Sequence, residues 1–128
     1  MRDRYLFRGK RTDSGEWVYG LLGRYNPDYE NANIIDEFEC LVPVKTETVG
    51  QYIGFNDKNG TRIFEDDIVN DEQSGYNYFI KWFPEYACFS LANKNGNMEF
   101  GCDEFEIFLN DLIVIGNIYD NPELLKGE

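Results

Sequence analysis

The chain contains no histidine. That absence removes Ser-His-Asp and Cys-His nucleophile activation, His-ligated zinc and iron, and the side chain most used as a base near neutral pH. Cysteine is scarce: Cys40, Cys88 and Cys102 are far apart and form no CxxC pair. Three isolated cysteines do not by themselves complete a structural zinc site. An odd, scattered set points to free thiols in a reducing compartment rather than a disulfide framework. No GxxxxGK(S/T) stretch occurs, and Gly50 and Gly54 do not extend to GxGxxG, so neither a P-loop nor a dinucleotide loop is implied. No apolar run approaches the ~20 residues that span a bilayer. The opening MRDRYLFRGKR has charges but lacks the apolar segment of a secretory signal. Without that signal, the Asn59-Gly60-Thr61 sequon reads as accidental. The expectation is a cytoplasmic protein with no membrane contact and no cofactor.

Basic residues are also short in supply, 12 against 24 acids, for a net charge of −12. The imbalance is uneven. Residues 1–24 hold six bases and three acids, a balance of +3, and the remainder holds 21 acids and 6 bases, a balance of −15. Such a surface repels DNA and anionic lipid and favours solubility or a basic partner. The bases beside the first hairpin make only a weak nucleic-acid signal, so direct nucleic-acid binding is not expected.

Aromatics are what the chain has in quantity, at 16 %, within a hydrophobic content of 42 %. Its 128 residues suit one domain over 1–128, with a subdivision near 70–75 as the alternative. A chain of this length buries roughly two-thirds of its unfolded surface and needs no metal or disulfide staple. Alternating apolar residues and turn signals predict strands at 4–8, 17–21, 38–44, 46–55, 68–71, 76–83, 86–92 and 112–119. Pro43 marks an edge or a strand end. Aromatics on both faces of 76–83 place that strand centrally, and Gly116 interrupts the last one. The stretch 25–36, rich in Asn, Asp and Pro, reads as a surface loop. Asn121-Pro122 opens one helical turn, and 103–109 is ambiguous between helix and strand. The expected fold is mainly β, a compact antiparallel sheet or small barrel with one or two short helices.

One stretch, Val49 to Val69, gathers glycines, a turn and a run of acids. Asn56 to Gly60 is a strong turn signal, because Asn and Gly tolerate left-handed dihedrals. Aligned as a calcium loop with Gly60 sixth, Asp57 and Asn59 fall correctly at positions three and five. Phe55 then stands first, where a carboxylate is needed, and Asp66 last, where a bidentate Glu is expected, so a hairpin turn is the better reading. The related Lys94-Asn95-Gly96 fits worse, with Leu91 first and Cys102 last, and its echo of Lys58-Asn59-Gly60 reads as recurrent turn chemistry. Asp57, Glu65, Asp66 and Asp67 are the metal or acid–base candidates, with Asp103 as an alternative companion to one of the 65–67 acids. Consecutive acids on a strand point to alternate faces and do not converge by default, so solvated turn acids are preferred.

The same stretch resembles the YopX family of small phage and prophage proteins. The match runs through Val49, Gly50, Gln51, Tyr52, Gly54, Asp57, Asn59-Gly60, Ile63-Phe64-Glu65 and Asp67-Ile68-Val69, then through Ile115-Gly116-Asn117-Ile118-Tyr119 and Asn121-Pro122-Glu123-Leu124. Asp66 departs from it, standing where members usually carry Gly. If that Gly has positive φ, Asp66 must tolerate the same dihedral or the turn must relax. The resemblance implies a β-rich domain of phage origin in a bacterial host cytoplasm, and it brings no catalytic residues. Three functional readings follow. The first is a non-enzymatic accessory protein that binds a macromolecular partner, a basic host protein being the class the charge favours. The second is an acidic mimic of nucleic acid, and the third a carboxylate-based or metal-assisted enzyme around Glu65–Asp67. Assembly of copies through sheet edges stays open.

Overall fold

The computed structural model describes residues 5–26, 31–101 and 109–126. The chain divides into two compact units, Met1–Tyr52 and Ile53–Glu128. The described strands are antiparallel, as expected, and among the described residues no closed barrel forms. No helix among them is long and apolar enough to cross a membrane.

The first unit holds β1 (Phe7–Lys10), β2 (Trp17–Arg24), β3 (Asn31–Ile35), β4 (Leu41–Lys45), a 3-10 turn at Thr46–Thr48 and the start of β5 (Gly50–Asn56). Its strands lie side by side in the order β4-β3-β2-β1-β5. Side-chain alternation fixes which face is buried. In β4, Val42 and Val44 point inward while Leu41, Pro43 and Lys45 are exposed. Ala32, Ile34 and Val44 form the centre, packed by Phe7, Val18, Leu22 and Val49. Pro43 lies on the outermost strand, where its missing N–H removes no ladder bond from a central position. The sheet curls: Arg11 bridges to Val44, and the Thr12 N–H donates to the Pro43 carbonyl at 3.2 Å.

Two readings are corrected here. The first strand begins at Phe7 rather than Arg4 among the described residues. The predicted loop 25–36 contains β3, which pairs with both β2 and β4. Only Ala32 and Ile34 mark its inner face, too short an alternation to read against so many Asn and Asp neighbours.

The second unit takes the rest of β5, then β6 (Arg62–Phe64), β7 (Asp67–Asp71), β8 (Asn77–Phe83), β9 (Cys88–Ala92) and β10 (Leu112–Asn117). β5 is hydrogen-bonded to β6, and the other four lie in the order β10-β7-β8-β9. β8 is interior, as its two aromatic faces suggested. Ile63, Val69, Tyr78, Ile80, Leu91 and Leu112 are buried together. Each such side chain contributes about 1.5–3 kcal/mol by burial. Tyr78 packs edge-on against Phe100 at 5.8 Å, and burial pushes its phenol pKa up. β10 carries a bulge between Val114 and Gly116, which accounts for the interruption read at that glycine.

The predicted strand 86–92 starts later, at Cys88, because Tyr86 and Ala87 belong to the turn and Ala87 is left-handed at φ 51°. The expectation of three free thiols also fails. Cys40 is free and exposed, but Cys88 is disulfide-bonded. Most of the ambiguous segment 103–109 lies outside the described residues. Leu109 opens a 3-10 turn, Leu109–Asp111, and Pro122–Leu125 forms another with proline at its start.

Candidate functional site: a carboxylate-rich hairpin

Asp57 directly follows β5 and begins the turn into β6. Its side chain is buried, and the reason is the set of donors around it. Oδ1 accepts the N–H groups of Asn59 and Thr61, both at 2.9 Å, and Oδ2 accepts the N–H of Val114 at 2.9 Å. The Lys58 N–H then donates to the Leu112 carbonyl at 3.1 Å. One carboxylate thus closes its own turn and ties that turn to β10, 57 residues away. Lys58 also bonds Glu72 through its ammonium, and that hydrogen bond and charge hold its pKa above the usual lysine value.

The turn belongs to a class that occurs three times among the described residues. In Asp36–Cys40, Asp57–Thr61 and Asn93–Asn97, the first residue's side-chain oxygen takes the N–H groups two and four positions on. Its carbonyl takes the N–H three positions on, and its own N–H goes to the carbonyl four on. The residue three on is left-handed each time: Glu39 at φ 63°, Gly60 at 83° and Gly96 at 82°. Two copies carry the glycine that makes such a turn legible; the copy at Glu39 does not. An L-residue in that conformation costs roughly 1–2 kcal/mol. Glu39→Gly should therefore raise stability, by about 0.5–1 kcal/mol after the glycine's greater chain entropy is subtracted. Urea unfolding of the two forms measures it, and an unchanged or lower midpoint would contradict the strain.

The run Glu65-Asp66-Asp67 does not converge. Asp67 is buried, and its Oδ2 accepts the Phe64 N–H at 2.7 Å, clamping the tight turn between β6 and β7. Asp66 has φ 71°, so it does adopt the left-handed conformation. It is held there from three directions. Its N–H donates to the Ile80 carbonyl at 2.8 Å, its carbonyl accepts from Ile118 at 3.0 Å, and its Oδ2 accepts the Tyr119 hydroxyl at 2.7 Å. Asp66→Ala loses both the hydroxyl bond and aspartate's tolerance of positive φ, and should cost about 2–3 kcal/mol. Asp66→Gly loses only the bond, so it should be the more stable of the two variants by about 1 kcal/mol. Equal destabilisation in chemical unfolding would remove the dihedral from the explanation. Glu65 is half-buried. Among the described residues, no three Cys, Asp or Glu side chains stand close enough to hold a metal ion.

Further buried polar groups, which sequence reasoning did not single out as clamps, do the same kind of work. Asp71 accepts the Gln73 N–H at 3.0 Å and the Ser74 hydroxyl at 3.1 Å. The Oδ1 of buried Asn117 accepts the N–H groups of Tyr119 at 3.0 Å and Asp120 at 2.9 Å. The available signal was an Asx residue immediately ahead of a polar turn, which is common to solvated loops as well.

A family model described as YopX protein matches residues 6–126. The chain belongs to the YopX family. None of the curated proteins compared with it matches. The positions that carried the resemblance now have places. Gly50 and Gln51 pair with Arg8 and Phe7, and the Tyr52 N–H donates to the Leu6 carbonyl at 2.9 Å. Gly54 and Gly60 are left-handed, while Ile63, Ile68 and Val69 are fully buried. At Gly116 a Cβ would stand 2.5 Å from the Asn121 Oδ1, and that oxygen accepts the Asn117 N–H at 3.3 Å. Asn121 therefore does not cap the turn that Pro122 begins; its side chain points back to the bulge. In this YopX domain, the carboxylates of Asp57 and Asp67 are joined to the chain's own backbone.

Proposed function

We propose that this chain is a non-enzymatic accessory protein of phage or prophage origin that works by binding a macromolecular partner. The observation that supports the reading is the use of Asp57 and Asp67. Both are buried, and both accept backbone N–H groups, the geometry of structural clamps. An acid–base or metal mechanism needs at least two carboxylates facing a shared pocket, and these two face their own turns. The same burial takes Asp57, Asp67 and Asp71 out of any phosphate-like row on the surface, so the mimic reading draws no support from them. The net charge of −12 remains available to favour a basic partner.

Affinity capture from a host lysate across a salt series tests the reading. The expected result is one or a few proteins retained at about 50 mM salt and released as salt shortens the screening length. No retained protein at low salt would overturn it.

A further inference from the structure

We propose that the tip of the β3–β4 hairpin is the docking surface, and that it receives a basic protein surface through an apolar contact centred on Phe38. This rests on the binding reading above and names its site and partner class. The residues lie in register. Leu21, Ile35 and Leu41 stand directly opposite one another on β2, β3 and β4, so their side chains share the outer face of the sheet. A Cβ at Gly23 would lie 3.1 Å from Ile35 Cγ1 and 3.2 Å from Leu41 Cδ2, so the bare glycine lets those two side chains lean together. Phe38 stands three residues beyond Ile35, in the loop that joins β3 to β4. It is 76 % exposed, the most of any large apolar residue among the described residues, and Leu41 is 64 % exposed.

The loop that displays Phe38 is not loose. Asp36 Oδ1 accepts the N–H groups of Phe38 and Cys40, both at 2.9 Å, and Glu39 is held left-handed. The aromatic ring is therefore presented from a fixed backbone, which lowers the ordering cost of an interface.

Charge identifies the occupant. Glu37 and Glu39 flank Phe38 and are both exposed. An apolar centre with an acidic rim is complementary to an apolar pocket rimmed by Lys and Arg: the centre supplies affinity, and the rim supplies steering and specificity. A second copy of the chain is disfavoured by the same feature. A two-fold contact on this face would set the Glu37 and Glu39 pairs of two copies against each other, on proteins that each carry −12.

The probe is a synthetic helical peptide of about five turns, with a stripe of Leu and Trp flanked on both sides by Lys and Arg, beside a scrambled peptide of identical composition. Fluorescence anisotropy gives affinity, and amide NMR shifts give location. The expected result is binding of the amphipathic peptide with shifts concentrated at 21, 35 and 37–41. Phe38→Ser and the scrambled peptide should each weaken binding at least tenfold. The double variant E37Q/E39Q should weaken it less and flatten its salt dependence. Phe38 is exposed, so Phe38→Ser should unfold at the wild-type temperature, which separates lost contact from lost fold.

No binding by the wild type, equal binding by Phe38→Ser, or equal binding of the scrambled peptide would each overturn the assignment. So would a dimer by light scattering that Phe38→Ser dissolves. Failure of the site and failure of the binding reading are distinguishable. If Phe38→Ser still captures the same lysate proteins as the wild type, only the site falls; if the wild type captures none, the reading falls.

Discussion

Replacing Asp57 by Ala is expected to lower stability by about 3 kcal/mol, since three backbone N–H groups lose their acceptor in one step. The three losses are not equal. Asn59 and Thr61 are exposed, and water can take over part of their bonding. Val114 is partly buried in β10, so its N–H carries more of the cost. Asp57→Asn separates the contributions. An amide oxygen can still serve Asn59 and Thr61, as the Asn93 oxygen serves Asn95 and Asn97 at 2.9 and 3.2 Å. Its amide nitrogen would then face the Val114 N–H, donor against donor. The Asn variant should lose about 1–2 kcal/mol, an intermediate value, with the loss centred on β10. Hydrogen exchange at Val114, set beside urea midpoints for both variants, reads this directly. An Asn variant as unstable as Ala would mean that the tie to β10, not the turn, carries the energy, and one as stable as the wild type would mean the reverse. The reverse exchange shows why the third loop uses an amide: the Asn93 Nδ2 donates to Glu99 at 2.7 Å, and a carboxylate there would repel it.

Gly20→Ala is expected to be comparably damaging, at about 3 kcal/mol or more, through a steric cause. A Cβ at Gly20 would lie 1.9 Å from the carbonyl oxygen of Ile35 and 3.2 Å from Ile34 Cγ2. The first of these is backbone, so no side-chain rotation relieves it and β2 must separate from β3. Overpacking of flexible neighbours costs about 1–3 kcal/mol, and a rigid neighbour places this site at or above the top of that range. Gly15→Ala is the control. Gly15 has φ 75° and nothing within 4 Å of a Cβ, so it should lose only the left-handed penalty of about 1 kcal/mol. Thermal unfolding ranks the two, and equal midpoints would show that the sheet can absorb the methyl group.

Antiparallel β structure, the interior position of β8 and the edge position of Pro43 were all legible in the residues, because period-two burial and proline's missing N–H are local properties. The hairpin turn at Asn56–Gly60 was legible for the same reason. Three things were not. β3 was hidden because its stability comes from β2 and β4 on either side, and only Ala32 and Ile34 show its inner face. The pairing state of Cys88 depends on which residue the fold places beside it. The loop at Asp36–Cys40 was hidden because its left-handed position holds Glu39 instead of glycine.

The carboxylates mark the division most sharply. Composition and local pattern already close histidine chemistry to this protein, set acids over bases two to one, and carry the YopX pattern in Val49–Val69. They also identify Asp66 as the position where a left-handed residue would be needed. What Asp57 and Asp66 bond to depends on the fold. Asp57 finds its third donor in Val114 and Asp66 finds its hydroxyl partner in Tyr119, contacts separated by more than 50 residues. A side chain's spare bonding capacity is set by what surrounds it in space, so local sequence could nominate these acids for chemistry but could not assign them to structure.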